Sequence, residues 1–220
     1  MRSIFSLFIV YLRSKIYFFQ EEKKILQLFY SCDLFQKCDL ALKRKYFFRN
    51  PFTISKKFFK KREGREIHVY GEIPLTSLLL IAKECEIAPH DHLFELGCGR
   101  GRAAFFLRSI SLCSVTAVDF VPFFVLNAQK IVEALHIERI TFICDDMQHI
   151  DLSQATCIYL YGTCLSDDVI KQLCISLPKK VKIITLSYPL KDYHKEFNII
   201  KQFIISVPWG KAEVFLNQKK

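Results

Sequence analysis

Glycine is scarce in this chain, seven residues in 220, and three of the seven fall within five positions, at Gly97, Gly99 and Gly101. No internal repeat is visible and no long linker rich in glycine, serine and proline divides the chain, so composition alone marks a boundary, near residue 65. The nine cysteines are odd in number, scattered and never spaced C-x-x-C. Neither a zinc site nor a disulfide framework is suggested, and a reducing, intracellular setting follows. Several sit inside apolar runs, as in Phe142-Ile143-Cys144, where cysteine acts as a small hydrophobe. A run of apolar residues long enough to cross a bilayer is also missing. A span needs about 20, but the N-terminal run at 4–12 is broken by Arg13, Ser14 and Lys15, and no small-residue cleavage site follows it. What remains is a helix lying on the protein or on a membrane surface, with residues 16–19 continuing its apolar side. Packing on the protein is the preferred reading, because aromatic-rich helices are more often core than anchors. The expectation is therefore a cytoplasmic protein, at most peripheral at a membrane.

What the chain has is a core's worth of apolar residues and a lopsided charge. Half of it is hydrophobic, enough for one full α/β domain plus an extension. The net charge of +10 belongs to the first third: residues 1–70 carry 16 Lys/Arg against 6 Asp/Glu, and residues 71–220 carry 16 against 16. An anionic partner, whether nucleic acid, acidic protein or membrane surface, would meet residues 1–65 first. The same charge could instead solubilise a very aromatic segment. Residues 20–48 have helix-like spacing in Ile25, Leu28 and Phe29 and in Leu34, Phe35, Leu40 and Leu42. From 43 to 62 phenylalanines alternate with lysines and arginines, a pattern that suits a phosphate-holding, base-stacking surface. Packing of those phenylalanines beneath a solvated basic face accounts for them equally and is preferred.

From Pro74 onward helix and strand alternate, which predicts a parallel sheet covered on both faces. Helices are expected near 74–87, 101–110, 122–136 and 166–176. Strands are expected at 92–96, 114–119, 139–144, 156–161 and 181–186. Pro208 separates two last strands, 197–207 and 209–216, which form an antiparallel terminal hairpin. The fold class is α/β, a Rossmann-like, mostly parallel sheet of seven strands with a closing hairpin and a helical, basic N-terminal extension. The division is 1–65 for the extension and 66–220 for the domain.

Phe94-Glu95-Leu96-Gly97-Cys98-Gly99-Arg100-Gly101-Arg102 reads as a strand turning through glycines into a helix. Such turns let a ligand approach the backbone and aim the next helix's first amides at it. The spacing is Gly-x-Gly-x-Gly, with Arg102 where a dinucleotide binder would place its third glycine. With Glu95 two positions ahead of Gly97, the pattern resembles the first motif of class I S-adenosylmethionine (SAM) dependent methyltransferases. A SAM site needs provisions for the methionine tail, ribose and adenine, and each has a candidate. The glycine turn and Glu95 suit the methionine part. Asp119 follows Gly97 by 22 residues, near the roughly 20-residue offset at which an acid meets ribose hydroxyls. Asp145 or Asp146 could accept from the adenine amino group, with Met147 beside the ring. Three such features at the carboxyl ends of successive strands are hard to obtain by chance.

Val69-Tyr70-Gly71-Glu72 narrows the family. It resembles the V-Y-G-E loop of the disruptor-of-telomeric-silencing group of non-SET protein lysine methyltransferases, which implies that Tyr70 and Glu72 fold over SAM. The resemblance also implies ribose binding by Asp119 and assigns Asp146 to the aspartate of that group's Gly-Asp-Phe motif. It spans residues 68–190, and it breaks at Tyr161-Gly162-Thr163, which replace the group's Asn-Asn-Phe, and at Ile73, where the group has threonine. A looser similarity holds to small lysine methyltransferases with tyrosine after this strand. Methyl transfer needs a positioned nucleophile and little else. A dry aromatic wall near the sulfonium would favour a neutral lysine amine, and Tyr161 is the first candidate for it, followed by Tyr70 and Tyr159. Tyr159 reads equally well as core. The Asn/Asp-Pro-Pro-Tyr/Phe sequence of amide and adenine-amine methyltransferases is absent after the fourth strand. The leading expectation is a SAM-dependent protein lysine methyltransferase with a protein substrate and no metal. Its rivals are a methyltransferase of RNA or a small molecule, and a SAM-fold docking module without turnover.

Overall fold

The computed structural model describes residues 2–63, 70–162 and 165–220, the side chains of residues 2–11, 13 and 63 excepted. Three helices come first, α1 (Arg2–Phe29), α2 (Asp33–Lys45) and α3 (Pro51–Glu63). After them helix and strand alternate: α4 (Leu75–Glu84), β1 (His92–Leu96), α5 (Arg102–Ser111), β2 (Ser114–Asp119), α6 (Pro122–Leu135) and β3 (Ile140–Cys144). Then follow β4 (Cys157–Leu160), α7 (Asp167–Ser176), β5 (Lys182–Leu186), β6 (Phe197–Val207) and β7 (Gly210–Lys219).

The strands make one seven-stranded sheet in the order β3-β2-β1-β4-β5-β7-β6. Strands β1 to β5 pair in parallel, and β7 joins β5 antiparallel, carrying β6 as the hairpin edge. The expected fold class is the one observed. The expected last strand shifts slightly, because Pro208 and Trp209 form the two-residue turn and pairing starts with Val207 opposite Gly210.

Period-two alternation decides which face each strand residue serves. Leu93, Val115, Ala117, Cys157 and Tyr159 enter one core, shared with α4, α5 and α6. Phe94, Leu96, Val118, Ile158 and Leu160 enter the other, against Ile170, Leu173 and Cys174 of α7. Tyr159 is therefore core, with 2% of its surface exposed. Local signals set the helix ends: Pro122 takes the first turn of α6, and the Ser166 hydroxyl accepts from the Val169 amide at the start of α7. With glycine so scarce, Leu112 and His136 adopt the left-handed conformation that ends α5 and α6.

The N-terminal helices share the first core. Ile25 and Phe29 of α1 and Phe35, Cys38 and Leu42 of α2 are buried there with Phe106 of α5 and Leu78 of α4. Phe106 is met edge-on by Phe29 at 4.8 Å and by Phe35 at 5.2 Å between ring centroids. Two expectations are corrected on the outer side. The apolar residues at the start of α1 were expected to pack on the protein, yet Leu12, Ile16, Phe18 and Phe19 stand exposed, because α1 runs on as one helix past the body that covers Ile25 and Phe29. Residues 4–11, 13 and 63–69 lie outside the described side chains. In the basic-aromatic stretch Phe58 and Phe59 are partly buried, but Phe47, Phe48 and Phe52 are exposed: the first two fall in the α2–α3 turn, and Phe52 opens α3. No described helix is long and apolar enough to cross a membrane.

Candidate functional site

The carboxyl ends of β1 and β2 hold the glycine turn in place. The Val118 carbonyl accepts from the amides of both Gly97 and Cys98, each at 2.9 Å. Asp119 continues the clasp: Oδ2 accepts from the Gly99 amide at 2.7 Å and Oδ1 from the Val121 amide at 2.8 Å. Each carboxylate oxygen keeps a lone pair for a ligand. Burial pushes the Asp119 carboxyl above its ordinary value, and the amides of Val121 and Gly99 pull the other way.

Beside this turn opens a cleft of about 1330 Å³. Of the residues singled out in the sequence, Tyr70, Glu72, Gly97, Gly99, Asp119, Met147 and Tyr161 line it, whereas Glu95, Gly101 and Asp146 do not. Gly101 is a packing glycine: a Cβ there would lie 2.5 Å from Cε1 of Phe142, and its φ is +83°. Asp146 spends Oδ1 on the Gln148 amide at 3.0 Å. Glu95 sits one layer below, facing the same core as Leu93 and Tyr159, with its Oε2 buried and without a partner. The turn's amides bond to Val118 and Asp119 instead. Burial, with Asp119 and Glu72 adding repulsion, lifts the Glu95 carboxyl to about 8.

The loop before α4 closes over the turn. Tyr70 presses on Gly99 so closely that a Cβ there would come within 2.9 Å of its ring. Its hydroxyl donates to Glu72, and Arg100 NH2 donates to Glu72 Oε2 at 2.8 Å. Burial works against charge on Glu72, but the Arg100 guanidinium outweighs it and holds the carboxyl below its ordinary value. Burial and the adjacent Glu72 push the Tyr70 phenol well up, so it stays neutral. Tyr161 stands across from the loop, its hydroxyl 3.1 Å from where a Gly71 Cβ would be. Ile73, with 9% exposure, belongs to the core. Val69 and Thr163 lie outside the described residues.

A second ion pair reaches the turn from behind. Arg102, the first residue of α5, donates from Nε to Asp39 Oδ1 at 2.7 Å and from NH2 to Glu22 Oε1 at 2.9 Å. Asp39 is also paired with Lys43. A cation at a helix N-terminus is unfavourable by itself; the carboxylates from α1 and α2 neutralise it. Neither pair was foreseen, since Arg100 and Glu72 are 28 residues apart and Arg102 and Asp39 are 63 apart. Phe52, Phe120, Phe124 and Trp209 also line the cleft without having been singled out as site residues. The single tryptophan, directly after a proline, was the one available signal.

The family described as "Methyltransferase domain" matches residues 93–175, from the first strand through most of α7. Residues 93–175 are a methyltransferase domain. The cofactor of such a domain is S-adenosylmethionine. No curated protein matches the sequence. Solved structures with the same fold include a mutant of MtNAS in complex with S-adenosylmethionine, at 15% identity and TM-score 0.58, covering 86% of this chain and 73% of that one. An RNA methyltransferase from Salinibacter ruber, in complex with S-adenosyl-L-homocysteine, aligns at 18% identity and TM-score 0.55 over 68% of this chain and 95% of its own. The B. subtilis M1A22 tRNA methyltransferase TrmK follows at 16% and 0.54, over 66% and 65%.

The methyltransferase's own residues fit that cofactor. Gly97 presents bare backbone at φ +86°, Gly99 at φ +56° lies beneath the Tyr70 ring, and Asp119 has lone pairs to spare. When bound, SAM supplies a methyl group already activated on a sulfonium.

Proposed function

We propose that this methyltransferase transfers the methyl group of SAM to the side-chain amine of a lysine in a protein. The observation that carries the reading is the tyrosine lining beside the glycine turn, where the Tyr161 hydroxyl meets Gly71 and Tyr70 covers Gly99. The carboxylates beside it are already engaged, Glu72 by Arg100 and Asp119 by backbone amides. An acceptor would thus enter deprotonated rather than meet a dedicated base, and a dry aromatic wall favours the neutral amine. Its lone pair forms the new N–C bond as the C–S bond breaks, and the methylated ammonium gives its extra proton to water afterwards. Tyr161 and Tyr70 would shape the acceptor's approach. Tyr70, Glu72, Gly97 and Gly99 would serve the methionine end, Asp119 the ribose and Met147 the adenine, while Glu95, Gly101 and Asp146, which do not line the cleft, would support the loops that do. Residues 1–65 are then a helical extension that buttresses the domain of residues 66–220.

An RNA or small-molecule acceptor is the second reading, favoured by the basic extension and by the RNA acceptors named for two proteins of the same fold. A docking module without turnover would not need a free glycine turn and an intact Asp119. Radiolabelled SAM added with the protein to a cell lysate, followed by separation of protein, RNA and small molecules, tests the choice. Label in protein, recovered as methyl-lysine, is expected; label confined to RNA would overturn it.

A further inference from the structure

Five exposed aromatic side chains from four separate elements meet at the mouth of the cleft. Phe18 comes from α1, Phe47 and Phe48 from the α2–α3 turn, Phe52 from α3 and Trp209 from the β6–β7 turn, and all five line the same cavity. Their exposures run from 50% for Phe18 to 93% for Phe48. Contiguous apolar rims of this kind mark a surface that something else covers. Farther along α1 the same exposure continues: Leu12, Ile16 and Phe19 follow one another at helical spacing, exposed at 48%, 49% and 74%.

The N-terminal helices around this rim carry an excess of basic side chains. Among the described side chains of the three N-terminal helices, every carboxylate already has a partner. Glu21 accepts from Thr76, Glu22 from Lys43 and Arg102, Asp33 from Lys37, and Asp39 is buried on Arg102. On α3, Lys56 and Lys60 continue the row begun by Phe52 at intervals of four residues, so lysines stand directly behind the aromatic rim.

We propose that the mouth of the cleft is a membrane-docking face, which seats the methyltransferase on an anionic bilayer with its aromatic rim in the headgroup region. The aliphatic stripe of α1 decides between lipid and nucleic acid. Leucine and isoleucine have no π-face for a base to stack on, but with phenylalanine, tryptophan and flanking lysines they make the usual apolar side of a helix lying in a membrane interface. Docking there would turn the cleft toward the membrane surface, so the acceptor would be reached at the bilayer. This does not depend on which acceptor is methylated.

Trp209, the chain's single tryptophan, reports on the rim directly. Its emission is to be followed on adding vesicles of phosphatidylcholine alone, and of phosphatidylcholine with phosphatidylglycerol, each with and without brominated lipid. A blue shift with bromine quenching on the anionic vesicles, and little change on neutral ones, is expected. Lys56→Ala with Lys60→Ala should weaken partitioning roughly thirtyfold and leave SAM affinity, measured separately, as in the unaltered protein. Phe47→Ser with Phe48→Ser should weaken it with the charge unchanged. Unchanged emission on anionic vesicles would overturn the proposal, as would vesicle binding without bromine quenching. So would a response to single-stranded RNA in place of lipid.

Discussion

Glu95 is a carboxylate held where its charge is unwelcome. Its carboxyl titrates near 8 in the folded protein against an ordinary 4.5, so between those values the folded state keeps a proton that the unfolded state has lost. Stability is therefore full below about 4.5 and falls as pH rises toward 8, by a few kcal/mol in all. Denaturant unfolding of the SAM-free protein across that range should give this downward slope, and Glu95→Gln should flatten it. The glycines of the turn separate by the same reasoning from single atoms. Gly101→Ala would drive a Cβ into Phe142 and should cost about 3 kcal/mol of stability in chemical denaturation. At Gly97 the nearest atom to a Cβ is the Met147 methyl, 3.6 Å away. Gly97→Ala should cost about 1 kcal/mol for its backbone conformation and act mainly on SAM affinity. The turn was legible in the sequence because so few glycines exist to make one. The partners of Arg100 and Arg102 were not, since only the packed topology brings Glu72 and Asp39 to them.

Among the elements, α1 and α2 act on the glycine turn from a distance through Asp39. Its side chain is 1% exposed and Arg102's is 14%, so removing the Asp39 charge leaves Arg102 with Glu22 alone as its counterion. Asp39→Asn should destabilise the protein by about 2–3 kcal/mol, and the remaining folded fraction should bind SAM more weakly, because Arg102 opens the helix that follows the turn. Thermal unfolding with and without SAM would separate the two effects. The strands and the helices from α4 onward were readable because apolar runs between glycine and proline signals leave little choice of period. For α3 the reading was harder. Phe52, Ser55 and Phe59 face the cleft, but Ile54 and Phe58 are apolar on the other side and lysines fill the gaps, so no single stripe dominates. The outward Phe47 and Phe48 escaped for a related reason, since sequence alone does not tell an aromatic that has a neighbour to pack on from one that lacks it.

For the molecule as a whole, the extension and the sheet are not separable bodies. Phe29, Phe35 and Leu42 are buried in the same core as Phe106 and Leu78, and a core of that kind melts as one unit. Calorimetric heating should give a single transition for the full chain, and removing residues 1–62 should yield protein without one; two transitions would mean that the halves fold apart. All of this surrounds one cleft, lined by Gly97, Gly99 and Asp119, the acid we propose for the ribose. Titration calorimetry of SAM into the protein and into Asp119→Ala tests that most directly. Saturable binding at one site is expected, weakened at least tenfold by the substitution, the loss of a charged hydrogen-bond acceptor. Absence of binding, or binding that Asp119→Ala leaves untouched, would contradict it.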